Sequence, residues 1–154
     1  MADYYADSSV LIKRHVREAG TDWFRALADP SSDQVITTAR ISEVEVYSAL
    51  NRRAREAVLT PAQYAEIVAD FASFCVTEYQ FIELTPAVVA RARQVLEHYA
   101  LRAYDAVQLA SALVVSDSLA LAGLAAPVFT SSDDRLLNAA RQEGLLIANP
   151  NLYP

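Results

Sequence analysis

The sequence predicts an α/β fold in which helices cover both faces of a parallel sheet, and three observations carry that reading. Strand-like and helical segments alternate along the chain, which requires crossover connections between parallel strands. The strand-like runs are short and almost wholly apolar, as strands buried on both faces are. The intervals between them carry N-caps, prolines and a glycine where helix ends need them.

The first run, DYYAD at 3–7, ends on a carboxylate, and QVITT at 34–38, FIEL at 81–84, PVFT at 127–130 and LLIA at 145–148 follow it. Thr60-Pro61-Ala62-Gln63 combines an N-cap, a proline at the first helical position and a glutamine able to reach back to the cap. Thr85-Pro86 repeats the cap and proline, and Gly144 stands just past the helical stretch Asp133–Glu143. From about 40 to 76 two helices follow one another without an intervening strand, which predicts a hairpin standing off the sheet. At 154 residues the chain reads as a single domain, 1–154, with no repeat or linker. A chain of this size buries roughly 70% of its unfolded surface and needs no staple.

Composition excludes several classes of function. The three glycines, Gly20, Gly123 and Gly144, are far apart, so neither a G-x-G-x-x-G nor a P-loop phosphate cradle exists. The single cysteine, Cys75, rules out an internal disulfide and a cysteine metal cage, and in VADFASFCV it reads as a buried thiol. His15 and His98 sit in charged helical contexts expected to be exposed, which argues against a Ser-His-Asp triad. Apolar runs break well before the ~18 residues of a membrane span. The amino terminus MADYYADSS lacks a basic and apolar leader, so a cytoplasmic protein is expected. The net charge of −6 opposes binding of nucleic acid through bulk charge, so any such substrate has to meet a local basic patch. Apart from Lys13 every basic side chain is arginine, the better bidentate phosphate partner, and Arg52, Arg53 and Arg55 cluster.

The acids are more informative. Asp7, Glu45 in EVYSAL, Asp105 in YDAVQLASAL and Asp133 after PVFTSS each interrupt an apolar stretch, where an isolated carboxylate is costly to bury. A fold that gathers them around a hard divalent cation removes that cost. In open α/β sheets ligands bind beyond the carboxyl ends of the strands, where Asp7 and Asp133 fall. Both residues also suit helix caps, and capping is compatible with metal binding. Asp105 lies in the first turn of a helix that is apolar all round, hence buried. Periodicity does not choose between Glu43 and Glu45. Asp117, Asp134 and Glu143 read as ordinary surface charge.

Four blocks also resemble those of the PIN-domain family, in particular its VapC-type toxins. They are Tyr4-Tyr-Ala-Asp7-Ser-Ser-Val-Leu-Ile-Lys13, Glu45-Val-Tyr-Ser-Ala-Leu-Asn-Arg-Arg53, Leu101-Arg-Ala-Tyr-Asp105-Ala-Val-Gln-Leu-Ala110 and Phe129-Thr-Ser-Ser-Asp133-Asp-Arg-Leu136. Ala139-Ala140 and Gly144-Leu145 extend the last. The resemblance implies a three-layer α/β/α sandwich with a central five-stranded parallel sheet. It implies a Mg²⁺- or Mn²⁺-dependent endoribonuclease acting on RNA, a cognate small antitoxin protein, and a homodimer. By motif position the metal-binding and catalytic acids are Asp7, Glu45, Asp105 and Asp133, with Glu45 preferred to Glu43. Ser9 fits a hydroxyl often found two residues after the first acid, and Arg52, Arg53 and Arg55 become phosphate or antitoxin contacts. The chain departs from the pattern twice. Gln108 stands where histidine is common, and the Ser-Ser-Asp-Asp block leaves Asp134 able to share the role of Asp133.

Two other Mg²⁺ folds do not fit. A phosphatase of the haloacid dehalogenase type needs a second aspartate where Ser9 stands, and both it and phospho-receiver domains need a late lysine, whereas the sole lysine is Lys13. The remaining alternative is a PIN-like module without catalysis that acts as a binding or scaffold domain.

Overall fold

A computed structural model describes residues 3–154. Five strands form one sheet: β1 (Tyr4–Ala6), β2 (Ile36–Ala39), β3 (Tyr79–Ile82), β4 (Val128–Thr130) and β5 (Ile147–Ala148). All pairings are parallel, in the order β3-β2-β1-β4-β5. The helices are α1 (Ser8–Leu11), α2 (Thr21–Leu27), α3 (Ile41–Arg55), α4 (Pro61–Thr77), α5 (Pro86–His98), α6 (Ala103–Leu121) and α7 (Asp134–Gln142). The five-stranded parallel sheet between helical layers is thus the expected one.

Alternation along the central strands builds two cores. Tyr5 and Phe129, paired in register, point to one face and stack with ring centroids 5.3 Å apart. That face packs against Val88, Val95, Leu109, Leu113, Leu136 and Ala140 of α5, α6 and α7. Ala6 and Ile36 point the other way and meet Val10, Leu11, Phe24, Leu50 and Phe71 of α1 to α4. Each fully buried leucine or phenylalanine here contributes about 1.5–3 kcal/mol of transfer free energy.

The cap signals hold. Thr60 and Gln63 close a reciprocal capping box, the Gln63 N–H donating to Thr60 Oγ1 at 3.1 Å and the Thr60 N–H to Gln63 Oε1 at 2.9 Å. Gly144 takes φ +90° just beyond α7, the left-handed conformation that glycine adopts without strain. The segment 40–76 holds α3 and α4, and α3 is seated rather than free, with Val46 and Leu50 wholly buried.

Two strands shift from their expected positions. FIEL at 81–84 gives way to Tyr79–Ile82, because the ladder to β2 runs from Ile36–Tyr79 to Ala39–Ile82. Tyr79 is buried, while Leu84 is left exposed. The last strand is only Ile147–Ala148, and Leu146 faces solvent. His15, expected to be exposed, instead packs against the Phe71 and Phe74 rings, and burial holds its imidazole down to about 4.

The carboxyl-terminal turn closes over α2. The buried Lys13 ammonium donates to Glu18 Oε1, Ala19 O and Asn151 Oδ1 at 2.9–3.1 Å, and Trp23 stacks on Tyr153. Gly20 is required there: its φ is +83°, and a Cβ would lie 2.4 Å from the Pro150 carbonyl oxygen. Among the described residues no helix is long and apolar enough to cross a membrane.

Candidate active site

The sheet order reverses direction between β1 and β4, and the crevice beyond their carboxyl ends is where an open α/β sheet binds ligands. Asp7 is the residue after β1 and Asp133 lies three residues after β4. The two loops are stitched together. The Asp7 N–H donates to Thr130 O, and the Ser132 N–H donates to Ser9 Oγ at 3.0 Å.

Asp7 is 5% exposed, and both its oxygens are held. Ser9 Oγ–H and the Val10 N–H donate to Oδ1 at 2.5 and 3.1 Å, and Ser131 Oγ–H donates to Oδ2 at 2.5 Å. The Val10 contact is also the N-cap of α1, so capping and the site use one carboxylate. Burial pushes the Asp7 carboxyl up to about 6 against the pull of these three donors, and the Glu45 charge adds to the rise.

Glu45 comes from α3 and is itself raised, first by burial and then by the Asp105 charge, against a hydrogen bond from Gln108 Nε2 at 2.8 Å. Asp105, in the first turn of α6, is raised by burial and by Asp133. The repulsion therefore runs from Asp7 to Glu45 to Asp105 to Asp133, and the four acids form one field. Among the described residues none of the four makes an ion pair. Nor do three acidic, histidine or cysteine side chains converge into a ready-made cage. Carboxylates outside any ion pair on a looser frame, with Asp105 partly offset by the Arg102 and Arg135 charges, suit Mg²⁺, which takes one or two carboxylates and keeps several waters.

The other candidates divide. Glu43 is bonded to Arg40 at 2.6 Å, and Arg40 also clasps Glu83, so Glu43 has its counter-charge while Glu45 does not. Asp133 is exposed and caps α7, accepting from the Arg135 and Leu136 N–H groups on Oδ1 alone. Asp134 turns to Asn149, whose Nδ2 donates to it at 3.0 Å, and lines a different cleft with Leu137 and Tyr153. Arg52 and Arg53 rim a cleft of about 320 Å³ together with Ser8, Ser9, Lys13 and Glu45, and neither has a carboxylate partner among the described residues. Arg55 lies outside it on the exposed end of α3.

A larger cleft of about 590 Å³ lies away from the acids, beside Arg14, Arg17 and Arg25. Its cations are already occupied: Arg14 pairs with Glu78, Arg17 with Asp22, and Arg25 donates to Arg14 O. Cys75 offers no nucleophile, since burial pushes its thiol up to about 12. Two polar residues lie inside the motif blocks, but the sequence assigns neither a role. Ser131 stands two residues before Asp133, and its bond to Asp7 crosses between loops distant in the chain. Gln108, the residue that stands where histidine is common, lies one turn after Asp105 on the buried side of α6.

The sequence pattern of the PIN domain matches residues 4–142, and the chain belongs to that family. It is 34% identical over 150 residues to "Ribonuclease VapC45" of Mycobacterium tuberculosis, covering 97% of each chain. Solved structures share the fold at low identity. One is a toxin–antitoxin complex from Klebsiella pneumoniae (TM-score 0.59, 15% identity, 96% of this chain and 98% of that one). Another is VapBC2 from Rickettsia felis bound to a DNA fragment from its promoter (TM-score 0.61, 9% identity, 95% and 97%).

Proposed function

We propose that this protein is an endoribonuclease that hydrolyses RNA phosphodiester bonds with Mg²⁺ or Mn²⁺, and that it is the toxin of a toxin–antitoxin pair. The observation that carries the reading is Asp7, a buried carboxylate with fixed oxygens and no counter-charge, repelled by Glu45 at the crevice between β1 and β4. The 34% identity to a ribonuclease across nearly the whole chain supports the reaction class.

Asp7, Glu45 and Asp105 are the residues that would hold the cation, with Asp133 at the open edge. A bound divalent ion lowers the pKa of a coordinated water and offsets charge on the phosphodiester. The protein's own share is positional. Ser9, Val10 and Ser131 leave Asp7 a single orientation, so little ordering entropy is lost when the site fills. Gln108 fixes one oxygen of Glu45. Arg52 and Arg53 stand where phosphates flanking the scissile bond would pass, and their guanidinium groups suit bidentate contact. Water is the expected nucleophile, because the Cys75 thiol is pushed up to about 12 by burial and His15 packs on Phe71 and Phe74 beside the cleft that lies away from the acids.

The reading extends to a cognate small antitoxin, to a homodimer and to action in the cytoplasm. Co-expression with a neighbouring small reading frame, followed by co-purification and light scattering, tests the first two. The activity test is cleavage of a mixed structured-RNA pool with Mg²⁺, with Mn²⁺ and with EDTA, using Asp7→Asn as control. Metal-dependent cutting that disappears in the variant is expected. Equal cutting by the variant refutes the site, and absence of cutting despite Mg²⁺ binding favours a non-catalytic PIN-like module.

A further inference from the structure

We propose that Gln108 is the positioning residue for Glu45: anchored on Tyr5 and Ser42, its amide holds the Glu45 carboxylate at the cleft in the orientation that takes the cation. The inference rests on the metal-site reading of Glu45 above and adds to it a residue that does not itself face the ligand.

Gln108 is 1% exposed, in a stretch of α6 where Ala106, Leu109, Ala110 and Ala112 are wholly buried. An amide in such a place is costly unless its polar capacity is used. Tyr5 Oη–H donates to Gln108 Oε1 at 2.8 Å, and Gln108 Nε2 donates to Ser42 Oγ and to Glu45 Oε1, each at 2.8 Å. Both amide hydrogens are therefore committed. The opposite orientation would set Oε1 against a carboxylate oxygen, two acceptors face to face, so Glu45 dictates how the amide stands.

The anchor points are rigid. Tyr5 lies in the central strand β1, has no exposed surface, and stacks on Phe129. Ser42 Oγ lies 2.7 Å from Thr38 Oγ1, and both residues are wholly buried. Strands β1 and β2 and helices α3 and α6 thus converge on one amide whose free end is Glu45. Packing alone would be served by leucine or methionine. A saturated polar chain that ends on a half-buried carboxylate lining the cleft fits a second layer of support, and removing such support typically costs 10–100-fold in metal affinity.

Gln108→Met removes the amide oxygen that accepts from the Tyr5 hydroxyl, so the test uses the double variant Tyr5→Phe/Gln108→Met, which removes donor and acceptor together. Gln108→Asn serves beside it: the amide survives, but one methylene shorter it stops short of Glu45. Mn²⁺ binding is measured by titration calorimetry on the full chain, with urea unfolding in EDTA as the fold control. RNA cleavage is then followed as a function of Mn²⁺. The expected result is a Kd for Mn²⁺ raised about tenfold or more in both variants, a matching rise in half-saturating Mn²⁺, and recovery of kcat at saturating metal. In a Glu45→Gln background the same replacements should change the Kd less than twofold, because their effect passes through Glu45. A folded variant of either kind that binds Mn²⁺ within twofold of wild type overturns the inference and leaves the metal site standing. A wild-type protein that binds no Mn²⁺ overturns both.

Discussion

Replacing Asp7 by asparagine is expected to make the metal-free protein more stable at neutral pH, although it removes a central residue of the proposed site. The folded protein raises the Asp7 carboxyl from 3.8 to about 6. Ionising it in the fold therefore costs about 3 kcal/mol more than in the unfolded chain, at about 1.36 kcal/mol per pH unit. Because the folded value is the higher one, this stability is fully present below about pH 4 and is lost as pH rises through about 6. Asparagine carries no such cost, but its amide cannot accept the Ser131 hydroxyl as Oδ2 does, which returns about 1 kcal/mol. The net gain at pH 7 is about 1–2 kcal/mol. Urea unfolding in EDTA reads this directly: with a slope of about 2 kcal/mol/M the midpoint rises by about 0.5–1 M. The variant should also lose most of the decline in stability between pH 4 and 7. A residue of the decline persists, since Glu45 and Asp105 are raised in the same direction. A variant less stable than wild type at pH 7, or one with an unchanged pH profile, refutes the account of Asp7 as a buried, uncompensated charge. Added Mn²⁺ should reverse the ranking, because only the wild type gains binding free energy.

Glu43→Gln and Glu45→Gln should separate cleanly. The first breaks a surface pair worth at most about 1 kcal/mol and leaves RNA cleavage near wild type, whereas the second lowers cleavage at least about 100-fold at limiting Mg²⁺. Arg52→Ala and Arg53→Ala are each expected to weaken RNA binding several-fold and to reduce the salt dependence of log K by about 0.7, as loss of one single-strand phosphate contact does, with Arg55→Ala smaller. Filter binding across a salt series measures this, and equal effects at all three positions would count against the cleft. Gly20→Ala forces a Cβ into the Pro150 carbonyl at a positive φ, so a loss of about 2 kcal/mol and a Tm lower by about 4–8 °C are expected in a thermal melt. An unchanged Tm would mean that the carboxyl-terminal turn yields freely.

The amino-acid sequence by itself determined the alternation of strands and helices, the helix ends at Thr60, Thr85 and Gly144, and the acids that break apolar runs. These are local properties: a cap, a proline or a buried strand announces itself within a few residues. Tertiary structure decided what depends on phase and on neighbours distant in the chain. Helical periodicity leaves Glu43 and Glu45 equal, and only the seating of α3 on α1 and α6 hands Glu43 to Arg40 and Glu45 to Gln108. The register with β2 moved the third strand back to Tyr79, and the Phe71 and Phe74 rings hid His15. Arg55 and Asp134, grouped with site residues by adjacency in sequence, lie outside the cleft: Arg55 is the last residue of α3, further along its axis from Glu45 than Arg52 and Arg53, and Asp134 is bonded to Asn149. Residues 5, 42, 45 and 108 meet through the order of the sheet, and a contact across that span has no local signature for the sequence to carry.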